Sequence, residues 1–335
     1  MSVAAERTND RHTPLSVWKR ILVDHSGVLS IAVFVLACCV VFSLITDNFL
    51  TSHNLLSVLR QAAPLMIAAC AMTFVITTGG IDLSVGSIGA VAGVVASVAL
   101  HWWGFSSGPA IALAIVIGGA IGLLHGYLVA YENIPPFIVT LTSLFIYRGV
   151  ALLVTEGYSI PLPPGSVFVE IGRGWLFGIP MPVLLAALAL IIAYIALNHM
   201  RFGRYVTAIG ANAEGVRRSG VNVRRVVTSV YVWSGMVAAF AGLIITARLG
   251  SGSANQGVMF ELDVIAAVVL GSTSLFGGRG TIIGTLFGAL AIAIIQNGLI
   301  LARVSPYYTQ IATGVIIIVA IWLNTRLLSR PGRKV

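Results

Sequence analysis

Few side chains in this sequence could carry a reaction. Lysine occurs only at Lys19 and Lys334, and neither follows the glycine-rich loop that cradles phosphates, so ATP hydrolysis by the P-loop route is excluded. No HExxH or GxSxG is present, and the histidines are scattered. His125 falls deep in an apolar run and reads as a helix–helix hydrogen-bond donor rather than a metal or proton site. Cys38, Cys39 and Cys70 also lie in apolar runs without metal-ligand spacing, and read as small buried hydrophobes. Asp82, Arg148, Glu261 and Asp263 are the ionisable groups at or inside apolar stretches. They are sparse for a proton relay, and such groups also cap helices or pair across a bundle. No catalytic, cofactor-binding or metal-binding residue is assigned.

One polar stretch is more telling: Ala208-Ile209-Gly210-Ala211-Asn212-Ala213-Glu214-Gly215-Val216-Arg217-Arg218-Ser219-Gly220. Asn212 is a good N-cap, Glu214 falls in the positive first turn, and Arg217 and Arg218 fall in the negative last turn. Gly220 sits where a left-handed residue ends a helix. The pattern predicts a helix of about seven residues, too short to persist alone in water. It needs a surface to dock on, either this protein's own or a partner's.

The elements that hold these residues are dictated by composition. The 335 residues are 58% hydrophobic and only 9% charged, against roughly 25% charged in soluble proteins. No Asp, Glu, Lys or Arg interrupts the runs Arg60–Asp82, Asp82–Glu132, Arg225–Arg248, Arg279–Arg303 or Arg303–Arg326. Each run can hold the roughly 20 apolar residues of a membrane span, and the second can hold two. An all-α polytopic membrane protein of about ten spans follows. They are predicted at Gly27–Thr46, Ala62–Thr78, Ser84–Trp103, Pro109–Tyr131, Phe137–Val154, Pro180–Asn198, Val226–Ala247, Leu262–Phe276, Thr281–Ala302 and Pro306–Thr325. The eighth is short, and its glycine-rich ends point to a broken helix.

The net charge of +9 invites a nucleic-acid partner, but its placement argues against one. Arg7, Arg11, Lys19 and Arg20 precede the first span, Arg201 to Arg225 fill one loop, and Arg326, Arg330, Arg333 and Lys334 end the chain. With ten spans these regions share one face, the positive-inside bias, which puts both termini in the cytoplasm. The expected organisation is a tail over 1–26, one permease domain over 27–327 and a basic tail over 328–335. The domain includes a cytoplasmic loop at 199–225 and an irregular outer cap at 155–179. In the first tail Leu15, Trp18, Ile21 and Leu22 share a helical face suited to lying on lipid. Glycine ridges at Gly89/Gly93, Gly118/Gly122/Gly126 and Gly280/Gly284/Gly288 would let helices approach closely.

Four blocks then resemble a known family. They are Thr77-Thr78-Gly79-Gly80-Ile81-Asp82-Leu83-Ser84-Val85-Gly86-Ser87, Asn133-Ile134-Pro135-Pro136-Phe137-Ile138-Val139-Thr140-Leu141, the stretch 211–223, and Glu261-Leu262-Asp263-Val264-Ile265-Ala266-Ala267-Val268-Val269-Leu270-Gly271 continuing to Gly277-Gly278-Arg279-Gly280. In this order they are similar to the permease subunits of ribose/xylose/arabinose/galactofuranose-type ABC sugar importers, from about residue 49 to 325. The resemblance implies the vitamin-B12-type (type II) importer fold and an inner-membrane location. It also implies two cytoplasmic ATPase subunits that bind ATP and Mg2+, a periplasmic sugar-binding protein, and a second permease copy or a similar permease. The segment Asn212–Gly220 would be the coupling helix entering the ATPase. Two departures stand out: Gly215-Val216, where similar permeases more often carry two alanines, and Ser272, where a glycine is common.

A sugar path needs hydrogen-bonding groups that bind weakly enough to release. Thr77, Thr78, Asp82, Ser84, Ser87, Thr140, Ser143, Ser272, Thr273, Ser274, Gln296 and Asn297 are the candidates, each with helix capping or packing as the competing role. An ion-coupled secondary carrier of a small polar solute is the alternative function. An integral-membrane enzyme fits poorly, because no catalytic constellation is present.

Overall fold

A computed structural model describes residues 26–328. The basic C-terminal tail and the amphipathic N-terminal stretch expected from the sequence lie outside the described residues. Twelve helices are found among the described residues: α1 Ser26–Ile45, α2 Ser52–Thr77, α3 Val85–His101, α4 Ser107–Ala130, α5 Pro136–Thr155, α6 Val167–Arg173, α7 Met181–Asn198, α8 Arg201–Arg218, α9 Val223–Leu249, α10 Phe260–Leu270, α11 Ile282–Leu301 and α12 Pro306–Leu328. Seven (α1, α2, α4, α5, α7, α9 and α11) are long and apolar enough to cross a membrane, and α3 and part of α12 form shorter apolar helices. Backbone polar groups have no water to bind in hydrocarbon, which is why the sequence resolves into helices here.

Helix α9 forms the axis of the bundle, packed against α4, α3 and α2. The crossings depend on the absence of side chains. A methyl group on Gly122 of α4 would overlap the Tyr231 carbonyl of α9, and one on Gly242 of α9 would overlap Gly89 of α3. The ridge Gly118/Gly122/Gly126 therefore faces α9 along its whole length. Gly284 and Gly288 likewise lie against the carbonyls of Gly271 and Ala267 on α10. Small residues substitute for hydrophobic driving force, which lipid removes.

Three boundaries differ from the expectation. Helix α2 begins ten residues before the predicted Ala62, because Thr51 caps it by accepting the Asn54 N–H at 3.3 Å; its polar opening turns hid it from a hydropathy reading. The predicted eighth span, Leu262–Phe276, is helical only over the 11 residues of α10, about 16 Å. It stops where Ser272, Gly277 and Gly278 adopt positive φ. In the stretch that follows, Gly271 and Thr273 are buried, whereas Leu275 and Phe276 stand exposed. The outer cap is not wholly irregular. It holds α6 and two short antiparallel ladders, β1 (Ile160–Pro161) with β4 (Ser251–Gly252) and β2 (Trp175–Leu176) with β3 (Ile179–Pro180). Arg173 ties the cap to α9, its Nε donating to the Arg248 carbonyl and its Nη2 to that of Leu249, both at 2.9 Å.

Overpacking a filled helix crossing costs about 1–3 kcal/mol. Gly122→Ala should therefore lower the thermal unfolding midpoint in detergent. Gly149→Ala, where an added methyl group meets no other atom within 4 Å, should leave the midpoint unchanged or raise it slightly.

Candidate functional site

The segment Asn212–Gly220 forms as its residue types dictate. Asn212 is extended (φ −163°, ψ 89°) and interrupts α8. Its side-chain oxygen accepts the Gly215 N–H at 2.9 Å, a true N-cap. An alanine at 215 would crowd that cap, since a methyl group there would stand 3.3 Å from the Asn212 amide. At the other end Gly220 takes φ +87°, and the Val221 N–H reaches back to the Val216 carbonyl at 3.4 Å. Glu214 holds Arg217 at 2.7 Å and Arg218 at 3.0 Å, both exposed. These bonds pull the Glu214 carboxyl down to about 2, chiefly through Arg217. Because the folded value lies below the free one, the pairing is intact above about pH 4.5 and is lost only as pH falls through 2.

What precedes the segment matters as much. Residues 201–211, within the loop expected over 199–225, form a helix of their own. Gly210 sits so close to the Thr77 carbonyl of α2 and the nitrogen of Gly278 that a methyl group would overlap both. The Gly278 N–H in turn donates to the Thr77 carbonyl at 2.9 Å. Three backbones thus meet at one junction: the end of α2, the approach to the capped segment, and the loop joining α10 to α11.

Just beyond lies a buried polar knot. Asp82, fully buried, accepts from the Ser84 N–H at 3.0 Å and the Ser84 hydroxyl at 2.5 Å through Oδ1, and from the Ser234 hydroxyl of α9 at 2.8 Å through Oδ2. His125 Nε2 and the Ser143 hydroxyl lie 2.8 Å apart, bridging α4 and α5. Most of the other polar candidates are occupied with backbone. Thr77 donates to the Thr73 carbonyl at 2.5 Å, Thr78 to Val75 at 2.7 Å, Ser87 to Ser84 at 2.9 Å, and Thr140 to both Ile81 (3.1 Å) and Pro136 (3.0 Å). The Thr273 hydroxyl accepts the Thr281 N–H at 3.3 Å, the Ser274 N–H reaches the Arg279 carbonyl at 3.0 Å, and Ser272 turns the chain in the left-handed region. Arg148 is satisfied by carbonyls, those of Ala254, Gln256 and Gly257.

Two of the sequence candidates, Gln296 and Asn297, line a cavity of about 330 Å³ walled by α2, α9, α10 and α11, within the size range of small-molecule sites. Its polar side chains include Gln61, Arg248, Gln256, Asp263, Gln296 and Asn297. Gln256 is used up bracing α3 to α9, bonded to Gly89, Gly242 and Thr246. Asn297 forms a reciprocal amide pair with Asn54 at 3.0 and 3.1 Å. Gln296 donates to Asp263 at 3.3 Å. Arg248 Nη1, by contrast, is buried without a partner. Arg248 belongs to the last turn of the 27-residue α9, so the cavity lies at the end of the bundle away from the capped segment, about 40 Å along the helix.

Residues 54–321 match the family described as branched-chain amino acid transport system / permease component. The chain belongs to this permease family. Its relatives include the ribose import permease proteins of Escherichia coli (strain K12), 38% identical over 91% of this chain and 94% of the relative, and of Bacillus subtilis (strain 168), 41% identical over 86% and 89%. The xylose transport system permease protein of Haemophilus influenzae is 32% identical over 89% of this chain and 96% of that protein. No solved structure matches the permease.

Sequence reasoning missed Arg248, Gln61 and Asp263 as cavity groups, and Gly210 as a contact. Arg248 could have been found, since it is an arginine at the end of a run that carries no charge from Val226 onward. Gly210 carries no signal without its neighbours. Within this permease Asp82→Ala should leave the Ser84 and Ser234 hydroxyls unpaired. The loss of hydrogen bonds to a buried carboxylate should cost about 2–3 kcal/mol, read as a lower unfolding midpoint. Ser43→Ala, whose exposed hydroxyl donates to the Val40 carbonyl three residues earlier, should not shift it.

Proposed function

We propose that the permease is the transmembrane subunit of an ATP-binding-cassette importer. It moves a monosaccharide, delivered by a periplasmic binding protein, across the bacterial inner membrane. The solute class follows the relatives named for ribose and xylose import. The observation that carries the mechanism is the junction of Gly210, Thr77 and Gly278, because it joins the capped arginine-bearing segment to helices that wall the cavity. ATPase subunits grip the segment 212–220 and bind ATP and Mg2+. The permease itself does no chemistry.

Ten crossings fit this reading: the seven long helices, α3, α12, and α10 continued by its loop to Gly280. Both termini and the segment 212–220 then face the cytoplasm, with the type II importer architecture and a second permease copy or a similar permease completing the path. Alternating access follows from leverage. When the ATPase subunits close, the segment moves with them and displaces the near ends of α2 and of the α10–α11 loop. The far ends of the same helices carry Gln61, Asp263 and Gln296 at the cavity, so that end opens or shuts in response.

Glu214→Lys combined with Arg217→Glu reverses the segment's charge order against the helix dipole while preserving one pair. In membranes containing the whole importer, this variant should insert normally yet lose at least about tenfold in uptake, each factor of ten being about 1.4 kcal/mol of coupling. Unchanged uptake with unchanged ATPase co-purification would remove the segment from the coupling role.

A further inference from the structure

The cavity at the far end of the bundle holds an unusual combination. Arg248 and Asp263 share its wall, yet among the described residues the only ion pairs are those of Glu214 with Arg217 and Arg218. A cation and an anion thus share one cavity without meeting within 4 Å. Arg248 Nη1 has no partner, and Gln61 and Gln296 share the lining, the Gln296 amide already turned to Asp263. Leaving a guanidinium and a carboxylate desolvated and apart is costly, unless something with both donor and acceptor character bridges them.

Resting on the importer reading, we infer that this cavity is a transient binding site for one neutral monosaccharide, with Arg248 and Asp263 as its specificity-determining pair. A hydroxyl group is a donor and an acceptor at once. Neighbouring sugar hydroxyls can accept from Arg248 while donating to Asp263, closing the gap that the two side chains leave. Phe260 and Leu65 on the same wall offer apolar surface to the sugar's C–H face. The lining carries one cation and one anion, with Arg60 adding positive charge near Arg248, so a cationic ligand is repelled and an anionic one gains Arg248 only by meeting Asp263. Bridging by a few polar groups in a half-open cavity also gives the modest affinity that a transported solute requires.

The test uses the purified permease–ATPase complex without its binding protein, in a background with Cys38, Cys39 and Cys70 replaced by alanine. Gln61→Cys then places a thiol on the cavity wall, and its rate of modification by a charged methanethiosulfonate reagent is followed. D-ribose, D-xylose and D-galactose are added in the millimolar range, alongside their aldonic acids. At least one neutral sugar should slow the modification, and better than its acid does. In Asp263→Asn or Arg248→Gln, the sugar concentration needed should rise about ten- to a hundredfold, as expected for losing a hydrogen bond to a charged group. The site is overturned if no neutral sugar protects, if the acids protect better, or if both variants are protected like the parent. Protection in the Gln61→Cys parent, with Arg248 and Asp263 intact, decides the matter even if those variants fail to fold. Uptake by the complete wild-type importer is measured in parallel. Sugar import without protection refutes the site and leaves the importer reading intact, whereas import of no sugar refutes both.

Discussion

Besides its covalent run into α9, the segment 212–220 meets the bundle at the contact of three backbones, Gly210, Thr77 and Gly278. Backbone atoms in van der Waals contact, one pair of them hydrogen-bonded at 2.9 Å, have no rotamers to absorb a displacement. Close packing makes such a joint bistable rather than compliant. The capped segment alone is a solvent-exposed turn and a half of helix. Seated on this joint, it becomes the end of a lever whose other end reaches the cavity.

The bundle around the joint follows from the loss of hydrophobic driving force between helices in lipid. Glycine ridges on α4 and α3 bring those helices onto α9 at backbone distance, and hydroxyl and amide braces fix their register. The Thr73 and Thr285 hydroxyls, 2.8 Å apart, and the Asn54–Asn297 amide pair tie α2 to α11 at two levels. The two therefore move as one body. Asp82 performs the same task between the α2–α3 turn and α9. Among the described residues seven buried side-chain atoms lack a partner, and Arg248 Nη1 is the one that belongs to the cavity wall; a charged group of that kind inside a membrane bundle marks a functional site.

The sequence made the local chemistry legible and left the long-range contacts hidden. Asn212 and Gly220 announce a cap at each end because their side chain, or its absence, acts on backbone within a few residues. The ridge Gly118/Gly122/Gly126 was visible from spacing alone, though not the helix it faces. The failures share one cause. Thr77, Ser87 and Thr140 look like path-lining hydroxyls, yet a hydroxyl in a helix can always turn to the carbonyl one turn back, and these do. Gly210 is one of 36 glycines, and only the fold shows which backbone it touches. Arg248 and Asp263 are fifteen residues apart on different helices, and nothing along the chain says that they share a cavity. The shortened α10 was readable as a break, but where the chain went next depended on Thr77.

The central claim is that the permease is a gate with a borrowed motor. Its most direct test is solute accumulation in proteoliposomes containing either the isolated permease or the complex with its ATPase and binding-protein partners. ATP or an imposed proton or sodium gradient supplies the energy. The account predicts uphill sugar uptake only with the partners present and ATP on the side of the segment 212–220, and none from the isolated chain under any ion gradient. Uphill uptake by the isolated chain on an ion gradient would contradict it and establish a secondary carrier.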